Sequence, residues 1–223
     1  MHGAIWLGLS MALSGASVEA GTTILASWSD GHGLVPFRED VRAEVESILE
    51  GAGIRVQWSD ASAEPSAQSS LHVVIIVTPS EPAGEGWHLS PSAMGVYLSS
   101  AESSAVYVFY HRVARVLGVA SERDGMMQPS DRKRLAKALG RVVVHELVHR
   151  VAPDLPHADA GVMQGDLGRS YLTRKHLSLD DGSRSGVLAA LREARAVPTC
   201  SAEFRSVARQ TGTCSSDALP NTK

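Results

Sequence analysis

The segment RVVVHELVH, residues 141–149, is the most informative part of this sequence. On a helix it is apolar on nearly every side apart from His145, Glu146 and His149, and such a helix belongs in a hydrophobic core. A buried glutamate between two buried histidines is unfavourable unless each of them finds a partner. The segment therefore predicts a core helix with a polar site built into it.

The pattern around this segment predicts a longer helix, from Ser130 to Val151. Ser130 or Asp131 is a suitable N-cap, and Pro153 follows the predicted end. Basic side chains are expected to keep the first half of the helix in solvent: Lys133, Arg134, Lys137 and Arg141. Only the second half is then predicted to enter the core.

The spacing of the histidines indicates a metal site. Two histidines four residues apart lie on one face of a helix, so His145 and His149 can both reach one ion. A catalytic zinc site has three protein ligands in a tetrahedral shell with one position open for water. His157 can supply the third ligand after the chain turns back. Glu146 would then lie where its carboxylate can act as general base toward the zinc-bound water.

The sequence therefore predicts a Zn²⁺ site at His145, His149 and His157, with Glu146 as the catalytic residue. The alternative for the five-residue motif alone is a buried helix whose two histidines are satisfied by hydrogen bonds.

The motif and the residues after it resemble the metzincin clan of zinc metallopeptidases. That clan has HExxHxxGxxH, with a Met-turn further along. Here Ala152 stands where the clan has glycine, and seven residues separate His149 from His157 where the clan has five. The longer form, HExxH-x7-H-x3-G-[IV]-M, ends here at Met163 and resembles a group of exported bacterial metzincin-like proteins.

The resemblance implies an α/β (α+β) fold, in which a mixed twisted sheet packs on a buried active-site helix and a small irregular or helical C-terminal subdomain follows. It implies a metalloendopeptidase that hydrolyses peptide or protein substrates, and it makes Met163 a candidate for the hydrophobic floor beneath the histidines. The early methionine resembles the archaemetzincin arrangement. No tyrosine lies two residues after Met163 to act as the extra ligand of astacins or serralysins.

Apolar runs and turn residues predict the other elements. Strands are expected at residues 22–28, 54–58, 71–77, 94–98 and 105–110, and helices at residues 41–49, from 112 to at least 117, and 177–196. The continuous apolar run at 71–77 indicates a central strand, and the short run at 94–98 indicates an edge strand. The pattern indicates a mixed α/β sheet packed on a buried helix.

The composition is that of an ordinary globular protein. The chain has 223 residues, 43% apolar and 20% charged, with a formal net charge of −3. These values give no signal for binding to nucleic acid or to an anionic membrane. No segment after the N-terminal one has the length and apolar character of a membrane span.

The termini predict export. Residues 1–20 resemble a signal peptide, with an apolar stretch followed by a cleavage site after Ala20, although they contain no Lys or Arg. The predicted domains are a signal peptide at 1–20, a zinc metallopeptidase domain at 21–196 and an irregular tail at 197–223, in a periplasmic or secreted protein. Cys200 and Cys214 are the two cysteines, and an even number in an exported chain favours one disulfide bond; two free thiols are the alternative.

Other functions remain open at this stage. In a gluzincin-type hydrolase a downstream glutamate is the third ligand, and Glu193 is the best candidate in this chain. A zinc-stabilised binding module with little or no activity is the alternative from another class, although it has no use for Glu146. A non-peptidase amidase would use the same residues.

Overall fold

A computed structural model of the chain describes residues 22–59, 71–81, 89–99, 104–119 and 127–196. Its elements within these ranges are, in order, β1 (Thr22–Ser29), α1 (Arg38–Gly51), β2 (Ile54–Ser59), β3 (Leu71–Thr78), β4 (Gly95–Ser99), β5 (Ser104–Phe109), α2 (Tyr110–Leu117), α3 (Pro129–Val151), α4 (Arg169–Leu172) and α5 (Asp181–Ala196).

The strands form one mixed sheet in the order β2-β1-β3-β5-β4. The first four of these strands are parallel, and β4 pairs antiparallel with β5, with Val96 opposite Tyr107. The helix α1 makes the crossover from β1 to β2 that a parallel pair requires. The predicted mixed α/β class, the central strand and the edge strand are confirmed.

One face of this sheet carries the core. Along β3, Val73, Ile75 and Val77 are buried, whereas Val74 and Ile76 between them are half-buried. The buried side chains join a single cluster with residues of α1 and α3, and α3 contacts α1, β4 and β5. The helix that contains the histidine motif is thus held between α1 and the edge of the sheet.

The helix α3 is buried over more of its length than the sequence indicated. It begins at Pro129, and Gln128 precedes it without a side-chain cap, so the predicted caps at Ser130 and Asp131 are wrong. Proline suits this first position because its missing N–H would have no partner in the first turn. Burial extends from Leu135 to Val148 except at Lys137, which is exposed, and Glu146, which is half-buried.

Arg141 is the clearest correction, because its side chain is 0% exposed rather than solvated. Its guanidinium donates to the Glu44 carboxylate on α1 (2.8 Å) and to the carbonyl oxygens of Leu172 and Arg174 (2.7 Å each). A buried charge is tolerated when it is paired and its donors are used. This arginine therefore joins α1 and α3 to the end of α4 and the residues just after it.

The C-terminal helix begins later than predicted, at Asp181 rather than at residue 177. Asp180 caps it, because its carboxylate accepts a hydrogen bond from the Ser183 N–H (3.0 Å). Residues 177–180 instead form a connection whose Ser178 carbonyl accepts from the Val162 N–H (2.8 Å). The helix α4 was not predicted, since its four residues are too few to show a periodic pattern.

Several predictions fall outside the described residues. The signal peptide at 1–20 and the tail at 197–223, with Cys200 and Cys214, are among them. In the part of the chain that the structure describes, no helix has the length and apolar character needed to cross a membrane.

The contact between α1 and α3 leaves no room for a side chain at Gly140. A Cβ atom there would lie 2.9 Å from the Cβ of Glu44 and 3.0 Å from the Val41 carbonyl oxygen. We expect Gly140→Ala to lower the free energy of unfolding by about 1–3 kcal/mol through overpacking, although alanine is the better helix former.

Gly51→Ala, at the end of α1, is the matched control because nothing lies within 4 Å of its added Cβ. Urea denaturation of the two variants and the parent protein gives the comparison. Equal stability of the two variants would mean that the helices are not packed as closely as described.

Candidate metal centre

The three predicted histidines converge on one point. The Nε2 atom of His149 lies 3.2 Å from the Nε2 of His145 and 3.1 Å from the Nε2 of His157. The two on α3 are one turn apart, and His157 returns from the segment that follows the helix. Among the described residues, these three form the one group of His, Cys, Asp or Glu side chains whose ligand atoms lie close enough together to hold a metal ion.

These distances fit a tetrahedral zinc ion. Zinc binds imidazole nitrogen at about 2.0–2.1 Å, which places two ligands about 3.3–3.4 Å apart. Hydrogen bonding fits less well, because a proton on the His149 nitrogen can point along only one of its two contacts. The two nitrogens of the other contact would then face each other without a hydrogen bond between them. The metal site thus satisfies all three imidazoles, which the hydrogen-bonded alternative does not.

A backbone carbonyl orients the first ligand. The Nδ1 atom of His145 lies 2.9 Å from the Val162 oxygen, so Nδ1–H donates to it and Nε2 keeps its lone pair free for the ion. This carbonyl is positioned by a turn, in which the Gln164 N–H donates to the Gly161 oxygen (3.2 Å) and the Val162 N–H donates to the Ser178 oxygen. Gly161 has a φ of 75°, which favours glycine.

Met163 lies in the same turn, with a side chain that is fully buried in the hydrophobic core. Its turn supports the site through the Val162 carbonyl. The role of Met163 as a hydrophobic floor beneath the histidines remains a prediction.

Asp154 and Asp159, the acids that flank His157, are both exposed. The orienting group found for His145 is thus backbone rather than carboxylate.

The departure from the clan pattern has a simple structural reason. Ala152, where the clan has glycine, has φ −132° and ψ 77°, so this position does not have the positive φ that favours glycine. The chain then turns back through a hydrogen bond from the Leu155 N–H to the Ala152 oxygen (3.0 Å). The Ala158 N–H donates to the Met163 oxygen (2.9 Å), which fixes the chain beside His157. Seven intervening residues can therefore present the third ligand without a glycine.

Glu146 points between α3 and the edge strand. A Cβ atom built on Gly95 would lie 2.8 Å from the Cγ of Glu146 and 2.8 Å from the Tyr107 oxygen. Gly95 is therefore the residue that leaves space for the carboxylate, a role that was not predicted from the sequence. The available signal was a glycine in a strand, which often marks a close approach. Tyr97, two residues on, stacks on His149 with ring centroids 6.2 Å apart.

Burial sets the electrostatics of the site. It lowers the pKa of His145 to about 4, a shift that the hydrogen bond to Val162 opposes and the charges of His149 and His157 reinforce. Burial and then the charge of His157 also lower the pKa of His149. Burial raises the pKa of Glu146 to about 7. Neutral imidazole is the form that binds a metal ion, so the fold favours the binding state of the two helical ligands.

A cleft of about 450 Å³ opens beside these residues. Its walls come from residues 90–95, which lead into and begin β4, from α2, and from residues 165–168 after the turn. The four site residues His145, Glu146, His149 and His157 all line it.

Glu193 lies elsewhere, on α5 in a groove with Leu155, and does not belong to the metal cluster. The position of Glu193 therefore speaks against the gluzincin arrangement.

No protein-family model and no curated protein sequence matches the chain. Two solved structures are similar to it. One is a zinc-dependent peptidase from Methanocorpusculum labreanum, with 17% identity and a TM-score of 0.48 over 74% of this chain and 99% of that one. The other is an archaemetzincin from Methanopyrus kandleri, with 12% identity and a TM-score of 0.49 over 79% of this chain and 99% of that one.

The role of the turn can be tested through Gly161. A Cβ atom there would lie 2.7 Å from the Ser178 oxygen, and φ is positive, so Gly161→Ala must move the Val162 carbonyl. We expect zinc affinity to fall by up to about 10–100-fold, the loss typical when the hydrogen bond that orients a ligand is disrupted.

Gly33→Ala is the matched control, because its φ is also positive (59°) while nothing lies within 4 Å of the added Cβ. Both alanines bring backbone strain, but only the substitution at Gly161 lies next to the Val162 carbonyl that accepts from His145. Competition with a chromophoric chelator measures the affinities. Equal zinc affinity in the two variants would mean that the turn does not orient His145.

Proposed function

We propose that this protein is a zinc-dependent, metzincin-like endopeptidase with His145, His149 and His157 as the ligands and Glu146 as the general base. The observation that carries the proposal is the convergence of three Nε2 atoms at 3.1–3.2 Å beside a half-buried carboxylate in an open cleft. A structural zinc site usually fills its fourth position with a protein ligand, and none is present among the described residues.

When bound, zinc acts as a Lewis acid on the scissile carbonyl group and makes water more acidic. The chain's own residues supply the proton transfers. Glu146 takes a proton from the attacking water and gives it to the leaving amine, which needs a carboxyl group whose pKa lies near the working pH. Its burial beside Gly95 raises the pKa of this carboxyl group to about 7.

The position of β4 favours an extended peptide as substrate. This strand is at the edge of the sheet, and its first residue, Gly95, lines the cleft. A strand edge offers unpaired backbone N–H and C=O groups to a second strand. A peptide paired there would run past His149 and Glu146.

Export with removal of residues 1–20, and a disulfide between Cys200 and Cys214, belong to the same proposal. N-terminal sequencing tests the first and thiol counting tests the second.

The ligand assignment predicts opposite results for two substitutions. His157→Ala should lose most of the zinc, because two imidazoles on one helix do not complete a catalytic site. Glu193→Ala should keep about one zinc per chain. Elemental analysis after dialysis measures both, and the reverse pattern would establish a gluzincin-type site.

The base assignment predicts that Glu146→Gln keeps its zinc and its fold but loses hydrolysis by about 10²–10⁴-fold, the usual contribution of a positioned general base. Glutamine has nearly the same shape, so the contact with Gly95 is preserved. Cleavage of a mixed peptide pool is compared with that of the parent protein, with zinc content measured in both. Equal cleavage would exclude Glu146 as the base, and no cleavage by either zinc-loaded protein would favour the binding module.

A further inference from the structure

Two arginines of α2 face the cleft. Arg112 and Arg115 are three residues apart, which places them on one side of the helix, and both line the cleft with Val116. Their side chains make different contacts. The contacts of Arg112 indicate a structural role, whereas Arg115 is available to bind a ligand.

Arg112 holds one wall of the cleft together. Its guanidinium pairs with the Glu81 carboxylate (2.7 Å) and donates to the carbonyl oxygens of Ser90 (3.1 Å) and Ala93 (2.8 Å). Its side chain is 17% exposed. The charge of Arg112 is therefore neutralised, and its donors are used to fix the segment that leads into β4.

Arg115 is exposed, and within the described ranges no ion pair or hydrogen bond engages its side chain. Asp166, which lines the cleft from the segment after the turn, is also exposed and does not pair with it. A guanidinium carries five N–H donors in a planar fork that matches a carboxylate. Arg115 thus offers a free cationic group in the same cleft as the metal ligands.

We propose that Arg115 binds a carboxylate of the substrate and gives the protein a preference for peptides that present a carboxylate at that point of the cleft. The inference rests on the proposed function, since it assigns the substrate class of that same cleft. The carboxylate is either the side chain of an Asp or Glu residue near the scissile bond or the C-terminus of the peptide. A paired guanidinium and carboxylate form short, charge-assisted hydrogen bonds.

The overall charge of the protein does not supply this preference. With a formal net charge of −3, the chain as a whole repels acidic peptides. A preference for them must therefore come from a local group in the cleft. A charge reversal far from the cleft is therefore a suitable control, because it changes the net charge of the protein and leaves the cleft unchanged.

The test compares Arg115→Glu with Arg55→Glu in zinc-loaded protein. Arg55 is exposed on β2, at the opposite edge of the sheet, and its substitution changes the net charge by the same amount. The substrates are three peptides of one sequence: one with an internal Glu and an amidated C-terminus, one with Gln in that place and an amidated C-terminus, and one with Gln and a free C-terminus.

We expect the parent protein and Arg55→Glu to prefer one of the two peptides that carry a carboxylate over the amidated Gln peptide. Arg115→Glu should raise KM for that peptide about 10-fold, more than it lowers kcat, because a contact made equally in the bound and transition states acts on KM. The peptide preferred identifies the source of the carboxylate. An unchanged preference in Arg115→Glu overturns the inference while leaving the peptidase intact.

A binding measurement keeps the two proposals separate. Fluorescence anisotropy of the same labelled peptides on zinc-loaded Glu146→Gln protein, with and without Arg115→Glu, needs no turnover. If the parent protein cleaves no peptide, the proposed function fails, and loss of carboxylate-dependent binding on adding Arg115→Glu still supports the inference. Equal binding of all three peptides with Arg115 intact overturns it.

Discussion

The burial of α3 is the constraint on which the rest of the structure depends. This helix passes through the core, yet it carries Arg141, His145 and Glu146 within two turns. Each of these groups is costly to bury without a partner. Arg141 is paired with Glu44 and with carbonyl oxygens, and His145 donates to Val162. Glu146 has its pKa raised to about 7 instead, so the one polar group left without such compensation is the one proposed to transfer protons.

Arg141 and His145 both donate hydrogen bonds to backbone carbonyl groups of the segment after α3. Arg141 and His145 are four residues apart and so lie on one face of the helix. His145 reaches the oxygen of Val162, and Arg141 reaches those of Leu172 and Arg174. A backbone oxygen is present whatever side chain its own residue carries, so these bonds place little demand on the identity of Val162, Leu172 or Arg174. The segment can therefore have an unusual length and alanine at position 152, while Gly161 keeps the positive φ that the turn needs.

The features that the sequence predicted correctly are those set by local patterns. The spacing of His145 and His149, the apolar run of β3 and the short edge strand can each be recognised within a few residues. The features missed depend on distant partners. Arg141 was predicted in solvent because Glu44, which pairs with it, is 97 residues away. The role of Gly95 likewise depends on Glu146, which only the packing of β4 against α3 brings near it.

Local sequence likewise supplies the residues proposed for the chemistry of the site, whereas distant segments supply the residues proposed for its specificity. The three histidines that could hold a metal ion and Glu146 come from residues 145–157, a single local unit held against the core. The walls of the cleft come instead from residues 90–95, from α2 and from residues 165–168. Arg112 fixes the first wall to α2 through carbonyl oxygens, so the neighbouring Arg115 faces the cleft from a supported helix. We expect substitutions at Arg115 to change which peptides bind while sparing the three histidines, because no hydrogen bond or ion pair ties its exposed side chain to α3 in the described part of the chain.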